Sequence, residues 1–224
     1  MALQIQGNGG VVAEVDGTTF RSQRVTPRPV DHGALGAYCY GGFTGVLPAA
    51  LAANSEIFQF RWADATRICV VRKVRISACV STTFFAAGVP VQIDLVKSTG
   101  WTVAGTLGTA ISPAALMKRR TSMGSSLVAS GDMRIATTAA LGAGTKTLET
   151  LALSAVVAAG PITASLNGEI IPPGTILWQA EVGDGEHPLC LVQNEGFSIR
   201  SVAVPATGTW TAGITVDWAE VTAY

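Results

Sequence analysis

Residues 66–80 read TRICVVRKVRISACV, and their spacing decides the fold. Thr66, Ile68, Val70, Val74, Ile76, Ala78 and Val80 fall on one parity, with only Arg72 interrupting the apolar row. Arg67, Lys73, Arg75 and Ser77 fall on the other. A period of two sustained over this length is useless to a helix, whose faces repeat every ~3.6 residues, and is what a half-buried strand requires. The stretch therefore predicts a long β-strand.

Outward from it the pattern recurs. EIFQFRW precedes the long strand; VPVQIDLVK and a piece around Trp101 to Val103 follow it. Met133 and Ile135 alternate in DMRIATT, and Ile162, Ala164 and Leu166 follow Gly160-Pro161. Pro172-Pro173-Gly174 reads as a turn launching TILWQAEV; PLCLVQ and GFSIRSVAV come next. TWTAGITVDWAEV closes the series with Trp210, Ala212, Ile214, Val216 and Trp218 in register. Only Ser112 to Arg120 (N-cap Ser112, Pro113 in the first turn) and a short Pro48 to Asn54 look helical. Many strands without helical crossovers, some with long connections such as 104–131, predict an all-β, jelly-roll-like two-sheet antiparallel sandwich over residues 56–224. An immunoglobulin-like sandwich is second, because the Cys…Trp…Cys spacing is missing.

Residues 1–55 read differently. Val11–Val15 and Thr18–Phe20 flank Asp16-Gly17, the signal of a two-residue hairpin. Pro27 and Pro29 then enforce extended backbone before a run of glycines and aromatics with no period. This is the expectation for a hairpin followed by an extended N-terminal arm, residues 1–45, with Tyr38, Tyr40 and Phe43 as anchors on a neighbouring subunit. A loop lying on its own domain is the alternative.

Composition narrows function. The 224 residues carry 15 basic and 15 acidic side chains, 13% charged in all, about half the usual share. Mean hydropathy is +0.39. A surface so poor in charge fits burial against copies of itself or a partner. Zero net charge argues against nucleic acid as a ligand. Gly33–Ser55 and Thr150–Gly168 are free of charge but broken by glycine, proline and hydroxyl residues, so no membrane span is expected. Four cysteines form no CxxC pair, and buried thiols are the expectation.

The chain is equally spare in chemistry. GxSxG, HExxH, GxxxxGK[ST] and a strand-to-helix GxGxxG are absent. Of two histidines, His187 sits in Gly183-Asp184-Gly185-Glu186-His187, a loop that a cation would suit but that matches no EF-hand spacing. Trp178, Trp210 and Trp218 lie on apolar strand faces, whereas Trp62 and Trp101 stand at strand ends. Trp62, Trp101 and His187 are thus the candidate ligand surface, for example for stacking on sugars. No catalytic, cofactor-binding or metal-binding residues are expected, and no enzyme.

The run IFQFRWADATRICVVRKVRISACV, with SLVASGDMRIATTAALGAGTKTL and LCLVQNEGFSIRSVAV…TWTAGITVDWAEV, resembles virion structural proteins of tailed bacteriophages: neutral, Ala/Gly/Thr/Val-rich β domains behind a Gly/Pro-rich arm. The resemblance implies a particle component made in the host cytoplasm. Its expected role is a capsid decoration (cement) protein, a homotrimer contacting the major capsid protein. A tail or fibre module that binds a receptor or glycan is the alternative. Poverty in long helices departs from the phage shell protein itself.

Overall fold

A computed structural model describes residues 36–85, 90–112, 117–119, 121–159, 168–180, 187–203 and 207–222, and four two-residue strands nearer the N-terminus. The chain divides into two units, Met1–Asp31 and His32–Tyr224. In the first, Ile5–Gln6 pairs with Val12–Ala13 and Val15–Asp16 with Ser22–Gln23, both antiparallel. Asp16 lies opposite Ser22, which pairs Asp16 into a strand; Gly17 and residues 18–20, the rest of the expected hairpin, lie outside the described residues.

Eight principal strands build the second unit: β1 (Ala37–Phe43), β2 (Ser55–Trp62), β3 (Ile68–Val80), β4 (Pro90–Val103), β5 (Ser154–Ala159), β6 (Glu169–Gln179), β7 (Glu195–Ala203) and β8 (Thr209–Val221). Every pairing is antiparallel. Sheet one runs β6-β3-β8-β1; sheet two runs β2-β7-β4-β5. First pairs with last, second with seventh, third with sixth and fourth with fifth: a long hairpin rolled into two layers, which is a jelly roll. Short strands extend it. Leu47–Pro48 pairs with β8, Leu189–Leu191 with β3, Thr145–Leu148 with β4, and Met133–Ile135 followed by Thr109–Ile111 widens sheet two beyond β2.

The interruption at Arg72 has a structural cause. Asp217 pairs with Lys73 but Trp218 with Val71, so Arg72 is an extra, exposed residue in β3. This bulge switches the buried parity. Cys69 and Val71 face the core before it; Val74, Ile76 and Ala78 face it afterwards. Val70 is buried but outside that core cluster, contrary to the single face, interrupted only at Arg72, that placed it in register with Val74 and Ile76.

Between the sheets the aromatics interdigitate. Tyr38 stacks on Trp218 (5.6 Å), Tyr40 on Phe58 (5.9 Å) and Phe60 on Phe197 (5.3 Å), while Trp218 meets Phe60 edge-on (5.5 Å). Such pairs each contribute about 0.5–1.5 kcal/mol beyond area burial. They join β1 and β8 of one layer to β2 and β7 of the other, fixing how the sheets face each other.

Four expectations need correction. The arm does not reach residue 45, because Ala37–Phe43 is an integral strand of sheet one paired along its whole length with β8. The sandwich therefore starts well before residue 56. The helix expected over Ser112–Arg120 is not found in its described part: the Cys39 amide donates to the Met117 carbonyl and the Arg119 amide to that of Ala37, so Met117–Arg119 lies along β1 as extended chain. Residues 113–116 and 120 lie outside the described residues, as do Ile162, Ala164 and Leu166. Pro48 belongs to a short strand, with turns after it and no helix. Finally, Pro172-Pro173-Gly174 is no turn between strands. It is a bulge within β6, between Ile171 opposite Ala78 and Thr175 opposite Ile76. Proline is tolerated there because β6 is at the sheet's edge.

A buried Glu56–Lys146 cluster and the candidate site

Residues 104–153 connect β4 to its hydrogen-bonded neighbour β5, so they are an insertion in a hairpin rather than a crossing between layers. Part of this insertion lies over the outer face of sheet two, leaving β2 buried on both sides. Phe58 and Phe60 enter the core, while Glu56 and Gln59 lie beneath the insertion. Their sharing of one face although three residues apart needs a bulge, and pairing supplies it: Ile199 opposes Phe58 and Arg200 opposes Glu56, leaving Ile57 extra. Lys146 also sits at a register shift, between Thr145 opposite Val103 and Thr147 opposite Thr99.

These irregularities gather a polar cluster in a dry place. Glu56 Oε2 accepts from Lys146 Nζ (2.5 Å), Gln59 Nε2 (2.8 Å) and Ser198 Oγ (2.6 Å). Lys146 also donates to Ser198 Oγ (3.0 Å), and its ammonium stands 3.8 Å from the centre of the Trp101 ring. Gln59 Nε2 also donates to the Gly142 carbonyl (3.1 Å). Side-chain exposures of Lys146 and Glu56 are 2% and 6%. Burial lowers the Lys146 amine below its ordinary value, opposed by the charge and hydrogen bond of Glu56. Gln59 Oε1, Ser98 Oγ and Trp101 Nε1 are buried without a hydrogen-bond partner. Close packing leaves no slack: a Cβ on Gly105 would come within 1.9 Å of Gln59 Oε1 and 2.6 Å of the Gly142 oxygen. Beside the cluster, Arg61 donates to the carbonyls of Trp101 (2.7 Å) and Thr102 (3.1 Å) and pairs with Asp132 (2.8 Å).

A second buried carboxylate, Glu220, lies on β8. It accepts from Ser126 Oγ (2.6 Å), the Leu127 amide (3.1 Å) and Trp218 Nε1 (3.3 Å). Burial raises its pKa against the pull of those three donors.

The residues singled out from sequence are dispersed. Trp62 and Trp101 are fully buried, Trp62 donating to the Arg67 carbonyl (2.9 Å), which corrects their assignment to a ligand surface. His187 is exposed, its Nδ1 donating to the Pro188 carbonyl (2.7 Å); residues 183–186 of its loop lie outside the described residues. Tyr38 and Tyr40 belong to their own subunit's core, which corrects their role as anchors on a neighbour; Phe43 is 81% exposed. All four cysteines are free, and Cys79 is exposed where a buried thiol is expected. Burial, aided by Asp217, pushes the Cys39 thiol up to about 11, and burial also raises Cys69 and Cys190, which disfavours their thiolates. Among the described residues no group of three His, Cys, Asp or Glu side chains is placed to hold a metal ion.

Sequence reasoning missed Glu56, Gln59, Lys146 and Ser198. Chemically the cluster assembles an amine, a hydroxyl, a carboxylate and a carboxamide, yet it is closed to outside substrates in this conformation. Comparison with protein-family models, curated protein sequences and solved structures finds no match to this chain.

Proposed function

We propose that the protein is a non-enzymatic structural component of a tailed-phage particle, a capsid decoration protein that stabilises the shell as a homo-oligomer. The observation carrying this reading is an apolar stripe on one sheet edge. Leu151, Leu153, Ala155 and Val157 alternate along β5 and the residues leading into it, all exposed, with Val156 and Ala158 turned to the core. Residues 150–159 carry no charge. Natural edge strands are ordinarily short, charged or covered, because a long apolar edge invites another chain. The other edges are managed in those ways: Thr109–Ile111 has three residues, Met117–Arg119 pairs along part of β1, and β6 carries two prolines. A stripe left uncovered in this setting is a contact surface for a second copy, with Phe43 a further exposed aromatic.

Native mass spectrometry tests the reading. The wild type is expected as an oligomer, with a trimer favoured from the phage resemblance, and Val157→Lys as a folded monomer. A monomeric wild type at micromolar concentration overturns it. Immunogold labelling of intact particles then separates capsid from tail, and particles lacking the protein are expected to lose heat resistance.

A further inference from the structure

An amine, a carboxamide and a carboxylate enclosed together are the complete reactant set for amide exchange, and here all three meet at one atom. Lys146 Nζ and Gln59 Nε2 both contact Glu56 Oε2, at 2.5 Å and 2.8 Å. An acid–base group touching both the attacking and the departing nitrogen can take a proton from one and give it to the other without moving. We propose that Lys146 and Gln59 become joined after folding by an intramolecular amide bond, with Glu56 as the proton carrier.

The step balances within the protein. From the ion pair, Lys146 gives one proton to Glu56 Oε2 and becomes a neutral amine. Its lone pair attacks Cδ of Gln59, forming the Nζ–Cδ bond. The Cδ–Nε2 bond breaks as Nε2 takes the proton from Glu56, and the attacking nitrogen returns a second proton to the carboxylate. Ammonia leaves; an amide and a protonated Glu56 remain. No oxidant, reductant or co-reactant enters.

Three features favour it. Exclusion of water removes competing hydrolysis and favours the neutral reactants over the ion pair. Trp101 beneath the ammonium and Ser198 beside it hold the lysine over Glu56, whose Oε2 also receives Gln59 Nε2, so both nitrogens are gathered at one carboxylate oxygen. The site also carries a defect that a rearrangement of the carboxamide could relieve: Gln59 Oε1 is buried without a partner. The bond would tie β2 to the strand Thr145–Leu148 and so lock the insertion over sheet two.

Intact-mass spectrometry of the full chain, with tryptic mapping, decides the matter. The wild type is expected to be lighter than its sequence mass by one ammonia and to yield a branched peptide joining Gln59 to Lys146. Lys146→Arg and Glu56→Gln are each expected at full sequence mass. Free Gln59 and Lys146 in the peptide map of folded wild type would overturn the proposal even if no variant folds. So would loss of water with a Lys146–Glu56 linkage, or an ester at Ser198.

Discussion

Glu56 and Glu220 are both carboxylates shut away from water, yet the fold treats them in opposite ways. Glu56 has a cation: Lys146 lies against it, equally buried, with a carboxamide and a hydroxyl completing the shell. Glu220 has neutral donors only, among them Ser126 and the Leu127 amide. A charge–charge pair in a dry interior is strong while intact and costly when halved. Neutral donors hold a carboxylate less firmly, so it keeps the option of taking up a proton. One site is therefore a fixed structural joint, and the other is a group whose charge follows pH.

The largest expected effect comes from breaking the joint. Measured against protein in which Lys146 and Glu56 are still an ion pair, Lys146→Met strands Glu56 as a buried, unpaired charge, and urea unfolding is expected to show a loss of about 3–5 kcal/mol. Adding Glu56→Gln should restore much of it, because the orphan charge is gone; a double variant no better than Lys146→Met would erase the distinction between the sites. At Glu220 the corresponding cut is milder. Ser126→Ala removes one hydrogen bond to a charged group and is expected to cost about 1.5–3 kcal/mol.

Proton linkage sharpens the contrast further. The folded state holds Glu220's proton more tightly than the unfolded state, where the value is near 4.5. Below that value both states are protonated and the group's contribution is complete. As pH rises through 4.5 toward the raised folded value, the unfolded state ionises first and stability falls. Urea midpoints measured across mildly acidic pH should therefore decline in the wild type and decline less in Glu220→Gln. Asp132, raised in the same direction by burial despite Arg61, leaves a residual slope in both. The smallest effect belongs to Arg119→Ala. Its salt bridge to Asp217 starts from a half-exposed side chain, so about 0–1 kcal/mol is expected.

How much of this was legible in the chain depends on periodicity. Strand β8, with its tryptophans in register, spans in the structure the same Thr209–Val221 read from the sequence. Strand β3 was legible except for the meaning of Arg72, since a bulge residue and a stray charge look alike without the partner strand. The run SAVVAA of β5 escaped because small apolar residues alternate with nothing. Tyr38 and Tyr40 were readable as aromatics needing burial, but whether their own core or a neighbour's received them depends on the long-range pairing of β1 with β8. The Glu56–Lys146 cluster was hidden for a stronger reason. Its members come from β2, β7 and the insertion, two of them placed by register shifts that only pairing defines.

The two prolines of β6 have a consequence beyond their own strand. Neither Pro172 nor Pro173 has an amide hydrogen, and both lie in an edge strand whose sheet neighbours, among the described residues, are on the β3 side. A strand arriving from another molecule would find the rungs missing there, so this border resists polymerisation into an endless ribbon. Under the proposed self-association through β5, growth that stops at a closed ring becomes the easier outcome.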